Sequence, residues 1–180
     1  MKIVEIKILR GPNYWSVRRT KLIQMKLDLE EMEQKPTNII AGFRQRLEAM
    51  FPSMIEHRCS VGTRGGFFER VDEGTWMGHV IEHIALEMQT LAGMDTGFGR
   101  TRGTGKEGEY YVCISYMEED AGVYAAKAAV RVAQALTDAV DYDLADDIMK
   151  LREIREDTRL GPSTGCIVEK KKKRGIPYIR

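Results

Sequence analysis

The chain has 180 residues, of which 43% are hydrophobic and 31% charged, a composition that fits one globular domain with its own core and excludes a disordered chain. Its 28 lysines and arginines nearly balance 27 acidic residues, so a net charge of +1 creates no overall field that would attract nucleic acid or an acidic membrane. No stretch approaches the roughly 20 apolar residues that a membrane span needs.

Two strands and a helix are predicted in the first part of the chain. Residues 2–9 alternate apolar and polar side chains, and residues 22–29 do so again, a pattern typical of strands with one solvated face. Asn38 is placed to cap a helix over residues 38–50, which a proline then stops. Residues 59–66 contain too many glycines for regular structure and are predicted to form a loop near another segment's backbone.

The middle of the chain predicts a buried helix, a loop and a strand. Residues 76–92 are apolar around much of a helix circumference, with Thr75 as the expected N-cap and a glycine at the C-terminal end. Residues 97–108 are basic and glycine-rich, which indicates a flexible loop. Residues 109–117 are the strongest strand candidate because they are rich in aromatic and β-branched side chains.

The C-terminal part predicts helices and then a boundary. Helices are expected over residues 121–140 and 143–155, followed by a last helix capped by Ser163 and the start of a strand at 175–180. We expect the chain to end where another domain would begin. Strands mixed with helices favour the α+β class, a mainly antiparallel sheet with helices packed on one face, as a single domain.

The cysteines indicate where the protein resides. Cys59, Cys113 and Cys166 are odd in number and widely spaced, which argues against a disulfide framework. The first residues alternate apolar and charged side chains instead of forming the apolar core of a secretory signal. Both features predict a cytoplasmic location.

Chemistry is concentrated in an HxxEH motif, which the sequence places on the buried helix. His79 and His83 are four residues apart, so both imidazoles lie on one helix face and could bind one zinc ion. Glu82 lies beside them and is the candidate catalytic base for a zinc-activated water, as in zinc peptidases. A third ligand is required, and Cys59 and Glu87 are the two candidates. The alternative interpretation is a pair of ordinary helix histidines with solvated or paired carboxylates.

Two basic segments have different interpretations. Arg100 and Arg102 could bind carboxylates through their forked guanidinium groups, although an exposed mobile loop is an equal alternative. The lysine run at residues 170–173 lacks interleaved aromatics and is interpreted as a solvated helix face, not as a nucleic-acid site. Trp15 is interpreted as a core anchor beside a turn.

Five segments together resemble the amino-terminal domain of cyanophycin synthetases, and the resemblance covers essentially the whole chain. They are LRGPNYWS (9–16), GGF (65–67), GHVIEHIALE (78–87), GFGRTR (97–102) and LGPST (160–164). The resemblance implies that residues 1–160 bind the polymer multi-L-arginyl-poly-L-aspartate. Residues 161–180 would be a linker helix and the start of an ATP-grasp module.

The same resemblance implies what surrounds this domain in a whole enzyme. An ATP-grasp module and a Mur-ligase-like module, both absent here, would add aspartate and arginine with ATP and Mg²⁺, and the full enzyme would be a homo-oligomer. Some family members resemble a metal-dependent hydrolase that trims the polymer into primers, and His79, Glu82, His83 and Cys59 match the positions of that activity. Three hypotheses follow: a polymer-binding module, a zinc peptidase acting on cyanophycin, and a scaffold for oligomerisation.

Overall fold

The computed structural model describes residues 1–18, 21–158, 166–168, 170–171 and 174–175. Ser163 and residues 176–180 lie outside this part, and with them the predicted cap of the last helix and most of the predicted final strand. The strands and α-helices of the described residues are β1 (Lys2–Arg10), β2 (Lys21–Asp28), α1 (Phe43–Met50), α2 (Gly66–Glu73), α3 (Met77–Leu91), β3 (Gly99–Gly103), β4 (Glu109–Ser115), α4 (Glu119–Asp138) and α5 (Leu144–Thr158).

The four described strands form one antiparallel sheet in the order β1-β2-β4-β3. Strands β1, β2 and β4 confirm the three predicted strands to within two residues at each end. Because β2 and β4 are the central strands, they carry most of the buried apolar side chains of the sheet, whereas β1 is largely exposed.

Helices cover one face of this sheet, which confirms the predicted α+β class. On that face Ile23 and Met25 of β2 and Val112 of β4 join a large core with α3 and α4. The alternate side chains, Leu22 and Cys113, form a small second cluster with Trp15 on the opposite face. Trp15 is 6% exposed, so its prediction as a core anchor is confirmed.

The prediction of a flexible loop over residues 97–108 is wrong for its first half. Gly99–Gly103 form strand β3, paired antiparallel with β4. The sequence GRTRG has no apolar alternation, so its strand conformation comes from backbone pairing with β4 and not from local propensity. This strand brings residues 99–103 beside the N-terminal half of α3, where Thr101 contacts Gly78 and Glu82.

One helix prediction needs correction, and one helix was not predicted. The helix expected over residues 38–50 begins only at Phe43, because Gly42 takes a left-handed conformation (φ 68°) and separates it from a short 3-10 turn at Thr37–Ile39. Helix α2 (Gly66–Glu73) had no prediction, and the loop expected before it contains a 3-10 turn at Cys59–Val61. The segment before α2 is therefore a compact turn and not an irregular loop.

The three long helices confirm their predictions. Helix α3 is buried around most of its circumference, as its apolar sequence indicated, and α4 and α5 pack against each other. Thr75 does not cap α3: the residue at the N-cap is Trp76, and the Thr75 hydroxyl is used elsewhere. No helix among the described residues has the length and apolar character that a membrane crossing requires.

Candidate metal centre

One turn of α3 places the HxxEH side chains at the wall of a cavity of about 1000 Å³. His79 and His83 lie on the same helix face, with ring centroids 4.8 Å apart and planes at 84°. Glu82 lies beside them and also lines the cavity. The predicted placement of all three residues on one helix is confirmed.

The third group of the cluster is Cys59, which the sequence had offered together with Glu87. One ligand atom from each of Cys59, His79 and His83 lies within 4.8 Å of the others. The Cys59 Sγ atom is 3.2 Å from His79 Nε2. Glu87 is not part of this cluster, because its carboxylate contacts His57 and Ser53 instead.

The segment before α2 is folded tightly enough to bring Cys59 to α3. Cys59 itself has φ 50°, in the left-handed region, and begins the short 3-10 turn. A Cβ atom on Gly66 would lie 2.3 Å from the Arg58 carbonyl oxygen, so only glycine permits this close approach. The backbone N–H of Phe67 donates to the His57 carbonyl (3.0 Å), which closes the loop.

Each histidine of the cluster has one ring nitrogen held by a neighbour. His79 Nδ1 lies 3.0 Å from Thr75 Oγ1, and His83 Nδ1 lies 2.8 Å from His57 Nδ1. The ring of Phe67 stacks on His83, with centroids 4.1 Å apart. Because both Nδ1 atoms are engaged, the Nε2 atoms remain as the ligand atoms, the arrangement by which outer groups orient metal-binding imidazoles.

The group that holds His83 is itself held by a carboxylate. His57 Nε2 lies 2.7 Å from Glu87 Oε2, and Ser53 Oγ donates to the other Glu87 oxygen. Burial raises the pKa of Glu87, but the hydrogen bonds from His57 and Ser53 outweigh it, so the pKa lies below its usual value. An ionised Glu87 accepts the Nε2 proton of His57, and His57 Nδ1 then accepts the Nδ1 proton of His83.

The electrostatics keep the two cluster histidines neutral. Burial, with a smaller contribution from the positive charge of Arg70, lowers the pKa of His79 to about 4. Burial, followed by the neighbouring His79 and His57, lowers the pKa of His83 well below its usual value. Near pH 7 both imidazoles therefore offer a lone pair to a metal ion instead of a proton.

Glu82 is a buried carboxylate with one oxygen fixed. Thr101 of β3 donates its hydroxyl to Glu82 Oε2 at 2.7 Å. A Cβ atom on Gly99 would lie 2.4 Å from Glu82 Oε1, so the glycine of β3 makes room for the carboxylate. Burial raises the pKa of Glu82 to about 7, against the opposing hydrogen bond from Thr101 and the charge of Arg100. A carboxyl group with this pKa can take up and release a proton near neutral pH.

Arg100 and Arg102 lie on β3 at the border of the same cavity. Their register partners on β4 are Cys113 and Tyr111, whose side chains belong to the cluster on the sheet face opposite the helices. The Arg102 guanidinium is accordingly 6.0 Å from the Trp15 ring centroid. Both arginines are thus near the centre without joining the ligand cluster.

The donor set fits zinc. A thiol sulfur and two imidazole nitrogens are ligands that zinc prefers, and three protein ligands beside a cavity are typical of catalytic zinc sites, which keep one position open. Cys59, His79 and His83 are the residues that would hold the ion.

Sequence reasoning missed His57, Thr101 and the role of Thr75. One signal for His57 was available: the chain has three histidines, and all three meet at this centre. The sequence contains no such signal for Thr101, because its segment, GRTRG, has no strand pattern and was interpreted as a loop.

These features define a single α+β domain in which one helix and one loop form a candidate Cys/His/His metal centre beside a buried carboxylate. A family model described as the cyanophycin synthase-like N-terminal domain matches residues 24–138. The chain belongs to that family.

Curated relatives agree over the whole chain. The chain is 51% identical to the cyanophycin synthetase of Geminocystis herdmanii over 99% of its length and 52% identical to that of a Nostoc species over 100%. It is also 51% identical to the cyanophycin synthetase of a Synechocystis species over 99%. The chain spans about a fifth of the length of these relatives, 20–21%.

Proposed function

We propose that this domain binds multi-L-arginyl-poly-L-aspartate and hydrolyses its peptide backbone at a zinc centre held by Cys59, His79 and His83. One observation carries the proposal: three ligand atoms within 4.8 Å of one another face a large cavity, next to a buried carboxylate of pKa about 7. The names of the relatives supply the polymer, since each is a cyanophycin synthetase.

The residues divide the chemistry between them. Zinc, when bound, would act as a Lewis acid that polarises a peptide carbonyl and lowers the pKa of water. Glu82 is the general base: its Oε1 takes the proton of the attacking water and returns it to the leaving amine, while Oε2 stays fixed by Thr101. His57 and Thr75 act at a distance, by fixing the imidazole rings.

The charges around the cavity suit a polymer that carries both guanidinium and carboxylate groups. The border includes acidic Glu56 and basic Arg58, Arg70, Arg100 and Arg102. We propose that Arg100 and Arg102 bind polymer carboxylates, which a guanidinium fork does in a bidentate manner. This mixed border also favours a second candidate, a domain that binds polymer without cleaving it.

The remaining proposals concern a longer protein. In keeping with the family resemblance, we propose that residues 1–160 are the polymer-binding domain of a cytoplasmic, homo-oligomeric synthetase and that residues 161–180 lead to an ATP-grasp module. That module and a Mur-ligase-like module would use ATP and Mg²⁺, so neither cofactor is assigned to residues of this chain.

Metal analysis and polymer cleavage test the proposal. The purified protein should contain about one zinc per chain, and incubation with soluble cyanophycin should release shorter fragments. Glu82→Gln should retain the zinc and lose cleavage by at least about a hundredfold, the usual contribution of a general base. Bound polymer without zinc or cleavage would leave only the binding function, and absence of polymer binding would favour a scaffold.

A further inference from the structure

Strand β3 borders the cavity with a free edge. It pairs with β4 on one side, and within the described residues no strand follows it on the other. All five of its residues, Gly99 to Gly103, line the cavity, as does Gly97 just before them. Strand β3 therefore forms part of the cavity wall, and two of its five residues have no side chain.

The hydrogen-bond pattern determines which backbone groups point into the open side. Ser115 donates its N–H to the Phe98 carbonyl, and Thr104 donates to the Glu109 carbonyl, so the even-numbered residues of this segment bond to β4. In an antiparallel ladder the intervening residues direct both their N–H and C=O groups away from the partner strand. Gly99, Thr101 and Gly103 thus present their backbone groups to the free edge.

The side chains leave this edge accessible. A Cβ atom on Gly103 would meet no other atom within 4 Å, so space is open there. The Thr101 side chain turns toward α3, where it donates to Glu82 Oε2 (2.7 Å) and lies 3.2 Å from the Gly78 carbonyl oxygen. Thr101, at the middle of the free edge, is consequently hydrogen-bonded to Glu82, the candidate catalytic base.

We propose that an extended segment of the polymer backbone adds to the sheet at β3, pairing with the backbone groups of Gly99, Thr101 and Gly103. This inference rests on the proposed function. Strand addition obtains affinity from main-chain hydrogen bonds and is indifferent to side-chain identity, which suits a polymer of one repeating unit. It also holds the polymer backbone next to Glu82, because Thr101 belongs both to the edge and to the contact with that carboxylate.

A proline at position 103 tests the edge directly. Gly103→Pro removes an N–H that faces away from β4, and proline is tolerated at such edge positions, whereas Gly103→Ala keeps the N–H and adds only a methyl group. In the Glu82→Gln background, which prevents cleavage, we expect Gly103→Pro to weaken binding of a synthetic segment of about eight β-aspartyl-arginine units five- to tenfold, the effect of one lost hydrogen bond. Gly103→Ala should bind within about twofold of the parent, and equal binding by the proline variant would overturn the inference.

Modified polymer segments give a second measurement that does not depend on how the variant folds. A strand uses its backbone amides alternately, so a segment N-methylated at every second backbone amide keeps one intact edge, and a fully N-methylated segment keeps none. The first should bind like the unmodified segment, and the second should lose at least tenfold. Equal binding of all three segments would refute strand addition and leave polymer binding in place. Failure of the unmodified segment to bind would instead refute the proposed function itself.

Discussion

Two buried polar networks in this domain are built from similar parts but have different outcomes. Between α4 and α5, the Asp147 carboxylate is contacted by the hydroxyls of Tyr124 and Tyr142 and by Arg131, which reaches it at 2.9 Å. Beside α3, the Glu87 carboxylate accepts from Ser53 and His57, and His57 continues to His83. Both networks bury a carboxylate that hydrogen bonds keep ionised.

The difference lies in where each network ends. Both oxygens of Asp147 accept hydrogen bonds, from Tyr124 and Arg131 on one side and from Tyr142 on the other. The network is therefore closed, and it joins helices α4 and α5. The Glu87 network ends at His83, whose remaining ring nitrogen is directed to the cluster with Cys59 and His79 at a cavity. A closed polar network stabilises a fold, whereas one that ends in a free ligand atom at a cavity is typical of a functional site.

Removal of His79, one of the three candidate metal ligands, should distinguish the two networks most clearly. His79→Ala deletes one of three ligand atoms, so zinc binding measured by chelator competition should be lost at micromolar metal. The free energy of unfolding without metal should change little, since His79 lies at the cavity wall and its ring nitrogens contact only the polar side chains of Thr75 and Cys59. Retention of wild-type zinc affinity would contradict the metal centre.

The opposite result is expected when the closed network is broken. Asp147→Ala removes hydrogen bonds to a charged group and should lower the free energy of unfolding by about 3 kcal/mol, with no change in zinc affinity. The side chain of its neighbour Asp146 is 43% exposed and pairs with Lys150, so Asp146→Ala should change stability by less than about 0.5 kcal/mol. Chemical denaturation of both variants measures the difference.

This stability difference should depend on pH. Burial alone would raise the pKa of Asp147, but hydrogen bonds from Tyr124 and Tyr142 and the charge of Arg131 lower it overall. A lowered pKa in the folded state contributes stability above the pKa of the unfolded chain, about 3.9, and the contribution is lost as the pH falls further. The gap between wild type and Asp147→Ala should therefore shrink below about pH 4, and a gap that widened there would argue against an ionised Asp147.

His57 should affect the centre without contacting the metal. His57→Ala removes the group that holds His83 Nδ1, and loss of such an outer partner costs about 10–100-fold in metal affinity. Glu56→Ala is the matched control, because Glu56 precedes His57 in the chain and is exposed on the protein surface with Arg64. A Co²⁺-substituted protein should also show an altered visible spectrum in His57→Ala only, and an unchanged spectrum and affinity would mean that His57 does not orient His83.

Much of this arrangement could be predicted because the signals were local. Apolar periodicity predicted β1, β2 and α3, and aromatic and β-branched side chains predicted β4. The four-residue spacing of His79 and His83 predicted their shared face. A helix fixes the relative position of residues three and four apart, so the sequence alone contained that geometry.

The rest depended on contacts between distant segments. Residues 99–103 became a strand only through pairing with β4, and this pairing is what brings Thr101 to Glu82. His57 meets Glu87 and His83 across a separation of at least 26 residues. The choice of Cys59 over Glu87 likewise depended on how the glycine-rich segment folds, which no periodicity describes.

The smallest predicted effect tests whether the α4 and α5 network acts as a unit. Tyr124→Phe removes one hydroxyl from Asp147 Oδ1 and should lower the free energy of unfolding by about 1 kcal/mol. If the hydroxyl acts through Asp147, the same substitution should cost almost nothing in the Asp147→Ala background, because its partner is already gone. Equal losses in both backgrounds would mean that the Tyr124 hydroxyl contributes independently of Asp147. The double-mutant cycle thus measures the closed network directly, and zinc affinity should remain constant throughout it.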